Sequence, residues 1–319
     1  MQYLKLALFF TLLLVKTATA QLALSQKIAG FKTLKIDTGI ILTIDEPVNF
    51  NYKRPLKVIL YALPNGNTTM QTYGKKLSAN DDWHFDIQHI GAQTAFIRET
   101  DKHSNYVVVY AENDLKSWPA WRKKYKNADQ VITNIVASLY EKYKNFNPEI
   151  YLTGHSGGGS FIFGYIGANN QIADYVKRIG FIDATYAYNT PQHKDKLLNW
   201  LEDKNKTLQV IAYNDSVVVL NGKPLVSPKG GTWYRSQLMA KDLTEKINLS
   251  NLNLSDRMDF FNKNHTIDFV LIKNPEAKIY HTNLVEKNGF ISLIFNGTKF
   301  KSRNYTFWSD RAYSKYISD

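Results

Sequence analysis

The sequence predicts one α/β domain: a mainly parallel sheet with helices on both faces. Three observations carry this. Short apolar or β-branched runs alternate with helical segments of roughly 10–15 residues, the pattern of βαβ units. An apolar run, Glu149 to Thr153, leads through Gly154-His155-Ser156-Gly157-Gly158-Gly159 into a second apolar stretch, Ser160 to Tyr165. No internal repeat, low-complexity tract or linker divides residues 21–319.

The chain begins with Lys5, an apolar run from Leu6 to Val15 and the small residues Ala18-Thr19-Ala20. That order is the signature of a secretory signal, with cleavage expected after Ala20. The apolar run is too short to span a bilayer, which takes about 20 residues. Residues 1–20 are therefore read as a signal peptide, with a secreted or periplasmic product and no membrane insertion after its removal. The chain has no cysteine. An exported domain without disulfides relies on its core, and 44% hydrophobic residues is enough to build one.

In chain order, Phe31 to Ile36 and Ile40 to Ile44 read as two strands joined at Asp37-Thr38-Gly39. Leu56 to Tyr61 is nearly all apolar, as expected of a buried strand, and ends at the turn Pro64-Asn65-Gly66-Asn67. Asp86 to Arg98 is predicted as a helix, Tyr106 to Tyr110 as a strand and Trp118 to Trp121 as an irregular loop. Ala128 to Tyr143 places Val131, Ile132, Ile135, Val136 and Leu139 at helical spacing. After the glycine-rich turn come a strand ending at Asp183, a helix from His193 to Leu201 and a strand from Leu208 to Ala212 leading to Asp215. Residues 216–231 are turn-rich, and Thr232 is placed to cap a helix running to Leu243. Thr266 to Ile272 is the last clear strand. The tail from Phe290 to Asp319 is aromatic without a period.

Strand, tight turn and helix around Gly-x-Ser-x-Gly describe a nucleophile elbow, in which Ser156 is thrust out of a strained bend. With this element order, the chain resembles the α/β-hydrolase superfamily. The resemblance covers most of residues 21–319 by order, but only the elbow is a specific motif. It implies a serine nucleophile followed in the chain by an acid and then a histidine. Carried onto this sequence, it assigns Ser156 as nucleophile, Asp215 as acid and His281 as base, with Asp183 a rival acid because it also ends a core strand. It also implies an oxyanion hole formed by Gly157 and the loop after the third strand, through Gly66 or Asn67. That loop departs from the His-Gly found in many members. A serine hydroxyl is a weak nucleophile at neutral pH, which is why a base and a carboxylate behind it are needed.

The expected activity is hydrolysis of a small or polymer-attached carboxylic ester through an acyl-enzyme. The alternatives are a peptidase or amidase on the same scaffold, or a non-catalytic cell-wall or polysaccharide binding protein. Tyr186, Tyr188, Trp118, Trp121, Trp233 and Tyr234 are candidate pocket walls. Net charge is +12, which permits attraction to anionic polymers. No nucleic-acid motif, metal-ligand spacing or dinucleotide fingerprint is present, so no cofactor and no nucleic-acid partner are expected.

Overall fold

A computed structural model of the chain describes residues 24–318. The expected leader, residues 1–20, lies outside the described residues.

The sheet follows from strict alternation along its strands. In β3 (Leu56–Ala62) the side chains of Val58, Leu60 and Ala62 enter one apolar core, while Ile59 and Tyr61 enter the other. In β4 (Asn105–Asn113), Val107 and Val109 likewise oppose Tyr106, Val108 and Tyr110. A strand apolar on both faces is stable only when helices cover both.

The remaining strands are β1 (Lys32–Ile36), β2 (Ile40–Asp45), β5 (Glu149–His155), β6 (Val176–Ile182) and β7 (Thr207–Tyr213). Beyond these lie a small hairpin, β8 (Val219–Leu220) with β9 (Lys223–Pro224), and then β10 (Ser250–Asn253), β11 (Arg257–Phe261) and β12 (Ile267–Ile272). The main sheet has the order β1-β2-β4-β3-β5-β6-β7-β12-β11-β10. It is parallel from β4 through β12 and antiparallel at both ends. The edge strand β10 is exposed throughout.

One face carries helices α2 (Ala128–Tyr143), α3 (Gly159–Ala168), α4 (Thr190–Trp200) and α5 (Thr232–Leu243); the other carries α1 (Ile90–Thr100) and α6 (Gly289–Phe295). In α2 the buried positions include Ile132, Ile135, Val136 and Leu139, the stripe read from the sequence. No described helix is long and apolar enough to cross a membrane.

Several local expectations need correction. Residues 118–124 are helical rather than irregular: the Ser117 hydroxyl accepts from Ala120 N–H, and Pro119 sits in the first turn, where a missing N–H costs nothing. Helix α1 starts at Ile90 and not Asp86, because Asp82 caps a separate 3₁₀ turn and His89 adopts a left-handed φ of 46°. Strands β10 and β11 carry too many exposed or mixed residues to stand out. Helix α6, Gly-Phe-Ile-Ser-Leu-Ile-Phe, is buried along its whole length, so it shows no amphipathic period.

The glycine run after Ser156 is a packing requirement. A Cβ on Gly158 would overlap the carbonyl oxygen of Ala62 at the end of β3, and one on Gly159 would overlap that of Ala184 after β6. Both obstacles are backbone atoms that cannot swing aside. Gly159→Ala is therefore expected to cost about 1–3 kcal/mol by overpacking, read as a lower urea midpoint with unchanged slope. An unchanged midpoint contradicts this packing.

Candidate active site

The site assembles where the parallel strands end at their carboxyl termini, the usual place for function in an open α/β sheet. Strand β5 ends at His155, and Ser156 takes φ +55° before a 3₁₀ turn, Ser156–Gly158, leads into α3. That left-handed conformation is uncommon for a residue with a Cβ and is a form of strain concentrated at functional sites. Ser156 is half-buried and opens on a cavity of about 450 Å³. Asn65, Gly157, Ser160, Ala184 and Tyr186 are among its walls. The Arg122 guanidinium, paired with Asp129, also donates to Ser160 Oγ at 3.1 Å and steadies that wall.

His281, beyond β12, reaches back across β7 to the end of β6. Its Nδ1 is hydrogen-bonded to Asp183 Oδ2. Asp183 is fully buried, has a left-handed φ of 43°, and its other oxygen accepts the Thr232 hydroxyl. This leaves the His281 Nε2 edge as the proton-accepting side of the ring. Among the described residues no hydrogen bond joins Ser156 Oγ to His281; the two meet the same sheet edge from β5 and from the segment beyond β12.

The carboxylate partner of His281 is thus Asp183, the rival acid, and not Asp215. The Asp215 oxygens are occupied elsewhere. They accept the backbone N–H of Thr232 at 2.7 Å and of Trp233 at 3.3 Å, capping α5 from outside. Thr232, expected to cap that helix, is its first residue instead, and its hydroxyl serves Asp183.

The loop after β3 also differs from expectation. Gly66 donates its N–H to Lys116 O at 2.8 Å, and Asn67 is buried outside the cavity with its N–H 3.5 Å from Pro64 O. Asn65 is the residue of this loop that faces Ser156 and Gly157. Its side-chain amide packs so closely on Gly157 that a Cβ there would overlap it.

Of the aromatic candidates, Tyr186 lines the cavity, whereas Trp118, Trp121 and Tyr188 are core residues of the α2–α5 face. His193, read as the first residue of a helix that in fact begins at Thr190, is buried on Phe163, with Nδ1 accepting from Asn189 N–H at 2.9 Å. His155 lies beneath His281 with ring centroids 4.5 Å apart. Burial, then the neighbouring His281, hold its pKa well below the usual histidine value, so it is neutral.

No protein-family model matches the chain, and no curated protein sequence matches it. Among solved structures, a thermostable esterase aligns over 84% of this chain and 64% of its own, with 14% identity and a TM-score of 0.50. The chain thus spans slightly under two thirds of that structure. A thermophilic esterase from Thermogutta terrifontis aligns over 85% of this chain and 95% of its own at 11% identity and TM-score 0.46. Acetyl xylan esterase from Aspergillus awamori does so over 77% and 93% at 9% identity and 0.44. The likeness to the first of these, with the sheet order and elbow described above, shows the α/β-hydrolase fold.

The Asp215 carboxyl is pushed up to about 6, first by burial and second by the Asp183 charge, against the amide bonds that lower it. This value lies above that of an unfolded aspartate, about 3.9. Folding therefore favours the protonated carboxyl. The resulting stabilisation is complete below about pH 3.9 and is lost as pH rises to about 6. Replacing Asp215 by Asn removes this slope. Variant-minus-wild-type stability, from urea titrations, is expected to rise between about pH 4 and 6 and flatten above. A difference independent of pH contradicts the assignment.

Proposed function

We propose that the chain is an exported serine hydrolase that cleaves carboxylic esters through an acyl-enzyme. The observation carrying this reading is the carboxylate-bound His281 ring at the same sheet edge as a serine held at φ +55°. Support for export is confined to the N-terminal sequence, residues 1–20.

In this mechanism Ser156 Oγ attacks the ester carbonyl as His281 Nε2 takes its proton. Asp183 fixes the Nδ1–H tautomer and stabilises the imidazolium. Negative charge on the carbonyl oxygen meets the N–H of Gly157 and a donor from Asn65. Collapse expels the alcohol, protonated by His281, and leaves the acyl group on Ser156. Water then attacks the acyl-enzyme with His281 again as base, and the free acid departs. The small walls Ser160, Ala184 and Ala187 favour short acyl groups. The connection from Asp183 to α4, which begins at Thr190, is short and offers little room for a large lid.

The wild type is expected to take a fluorophosphonate label that Ser156→Ala abolishes. It should also turn over p-nitrophenyl acetate faster than longer-chain esters and faster than aminoacyl anilides. A wild type that takes no label contradicts the enzyme reading and leaves the binding-protein alternative.

The two acids separate kinetically. Asp183→Asn is expected to lower kcat by about 10⁴-fold, the scale for removing the carboxylate behind the base, while Asp215→Asn, a helix cap, should stay within about tenfold of wild type. The reverse ranking would reinstate Asp215.

A further inference from the structure

The residue before the nucleophile has a hydrogen-bond pattern that the proposed chemistry does not use. His155 is 1% exposed, and both of its ring nitrogens are engaged. Its Nδ1 lies 2.8 Å from Gln88 Nε2, and its Nε2 lies 3.0 Å from the backbone carbonyl oxygen of His281. A carbonyl only accepts, so Nε2 carries the proton. Nδ1 is then an acceptor, which requires the Gln88 NH₂ group to face it. The Gln88 oxygen in turn accepts the Tyr61 hydroxyl at 2.7 Å.

The three hydrogen bonds thereby run in a single sense, each group donating to the next from Tyr61 through Gln88 and His155 to His281. The donor Tyr61 is on β3, so the relay ties the His281 loop to the rigid centre of the sheet. Gln93, on α1, reinforces it by donating to the carbonyls of Gln88 at 2.8 Å and Val285 at 3.1 Å. The loop needs such a tie. His281 has crossed from β12 over β7, and Asp183 restrains only its ring. Only a ring fixed at both backbone and side chain presents Nε2 to Ser156 repeatably.

We propose that His155 is a positioning residue: its ring, oriented by Gln88 and Tyr61, holds the His281 backbone so that the His281 imidazole stays in register with Ser156. The proposal rests on the hydrolase reading above. A neutral ring suits this role, because a charge at His155 would oppose the imidazolium that forms 4.5 Å away during catalysis.

The test compares wild type, His155→Phe, His155→Gln and Gln88→Met for fold, fluorophosphonate labelling and kinetics on p-nitrophenyl acetate. Phenylalanine keeps the ring and removes both polar atoms. Glutamine retains an N–H that reaches the His281 carbonyl. His155→Phe is expected to lower kcat by about 10- to 100-fold, as for a small misplacement of a reacting group, with KM within about twofold. His155→Gln should recover most of that loss, and Gln88→Met should show the same selective fall in kcat. A folded His155→Phe with wild-type kcat overturns the proposal, as does a Gln variant no better than Phe. Should His155→Phe not fold, Gln88→Met decides: a selective fall in kcat supports the relay, and an unchanged kcat overturns it. A wild type that takes no label overturns the hydrolase reading and this inference together, which distinguishes the two failures.

Discussion

The bond between the His281 ring and the buried Asp183 carboxylate is the constraint on which the site depends. A carboxylate removed from water is costly unless hydrogen-bond donors replace its hydration. Here the imidazole takes one oxygen and the Thr232 hydroxyl the other. Satisfying that buried charge also fixes the histidine tautomer. Stability and preorganisation are served by the same contacts, and the long reach from β12 to β6 is drawn closed by them.

Two acidic residues end adjacent strands, and the structure gives them separate tasks. Asp183 faces the histidine, while Asp215 accepts the N–H groups of Thr232 and Trp233 at the start of α5, bonds that oppose but do not cancel the rise its burial causes. Thr232 links them, giving its backbone N–H to Asp215 and its hydroxyl to Asp183. The cap thus places the hydroxyl that orients the histidine's partner. The raised Asp215 carboxyl follows from burying two like charges around one threonine.

The elbow was legible because its constraints are local. Ser156 needs a bend, and the carbonyls of Ala62 and Ala184 leave no room for side chains at Gly158 and Gly159. The alternation of strands and helices was legible because burial on both faces imprints continuous apolar runs. The carboxylate partner of His281 was not legible in the same way. Chain order offers two strand-end aspartates, and only the path of residues 273–281 decides which one the histidine meets. The helix start at Gly230-Gly231-Thr232, with no acidic residue in its own first turn, was the available signal that Asp215 had another use. The loop after β3 departed from expectation because Asn-Gly-Asn offers three amides, and the partner of Gly66, Lys116 O, lies far along the chain. His155 shows the same limit: its position beside Ser156 was plain, but its partners Gln88 and His281 are distant in sequence.

The pairing of His281 with Asp183 is open to direct observation by proton NMR of the ligand-free protein. A proton held between an imidazole nitrogen and a buried carboxylate is shielded from exchange and gives a far-downfield resonance. The account predicts such a resonance in the wild type, retained in Asp215→Asn and lost in Asp183→Asn. A resonance that survives loss of the Asp183 carboxylate and disappears with that of Asp215 would contradict it.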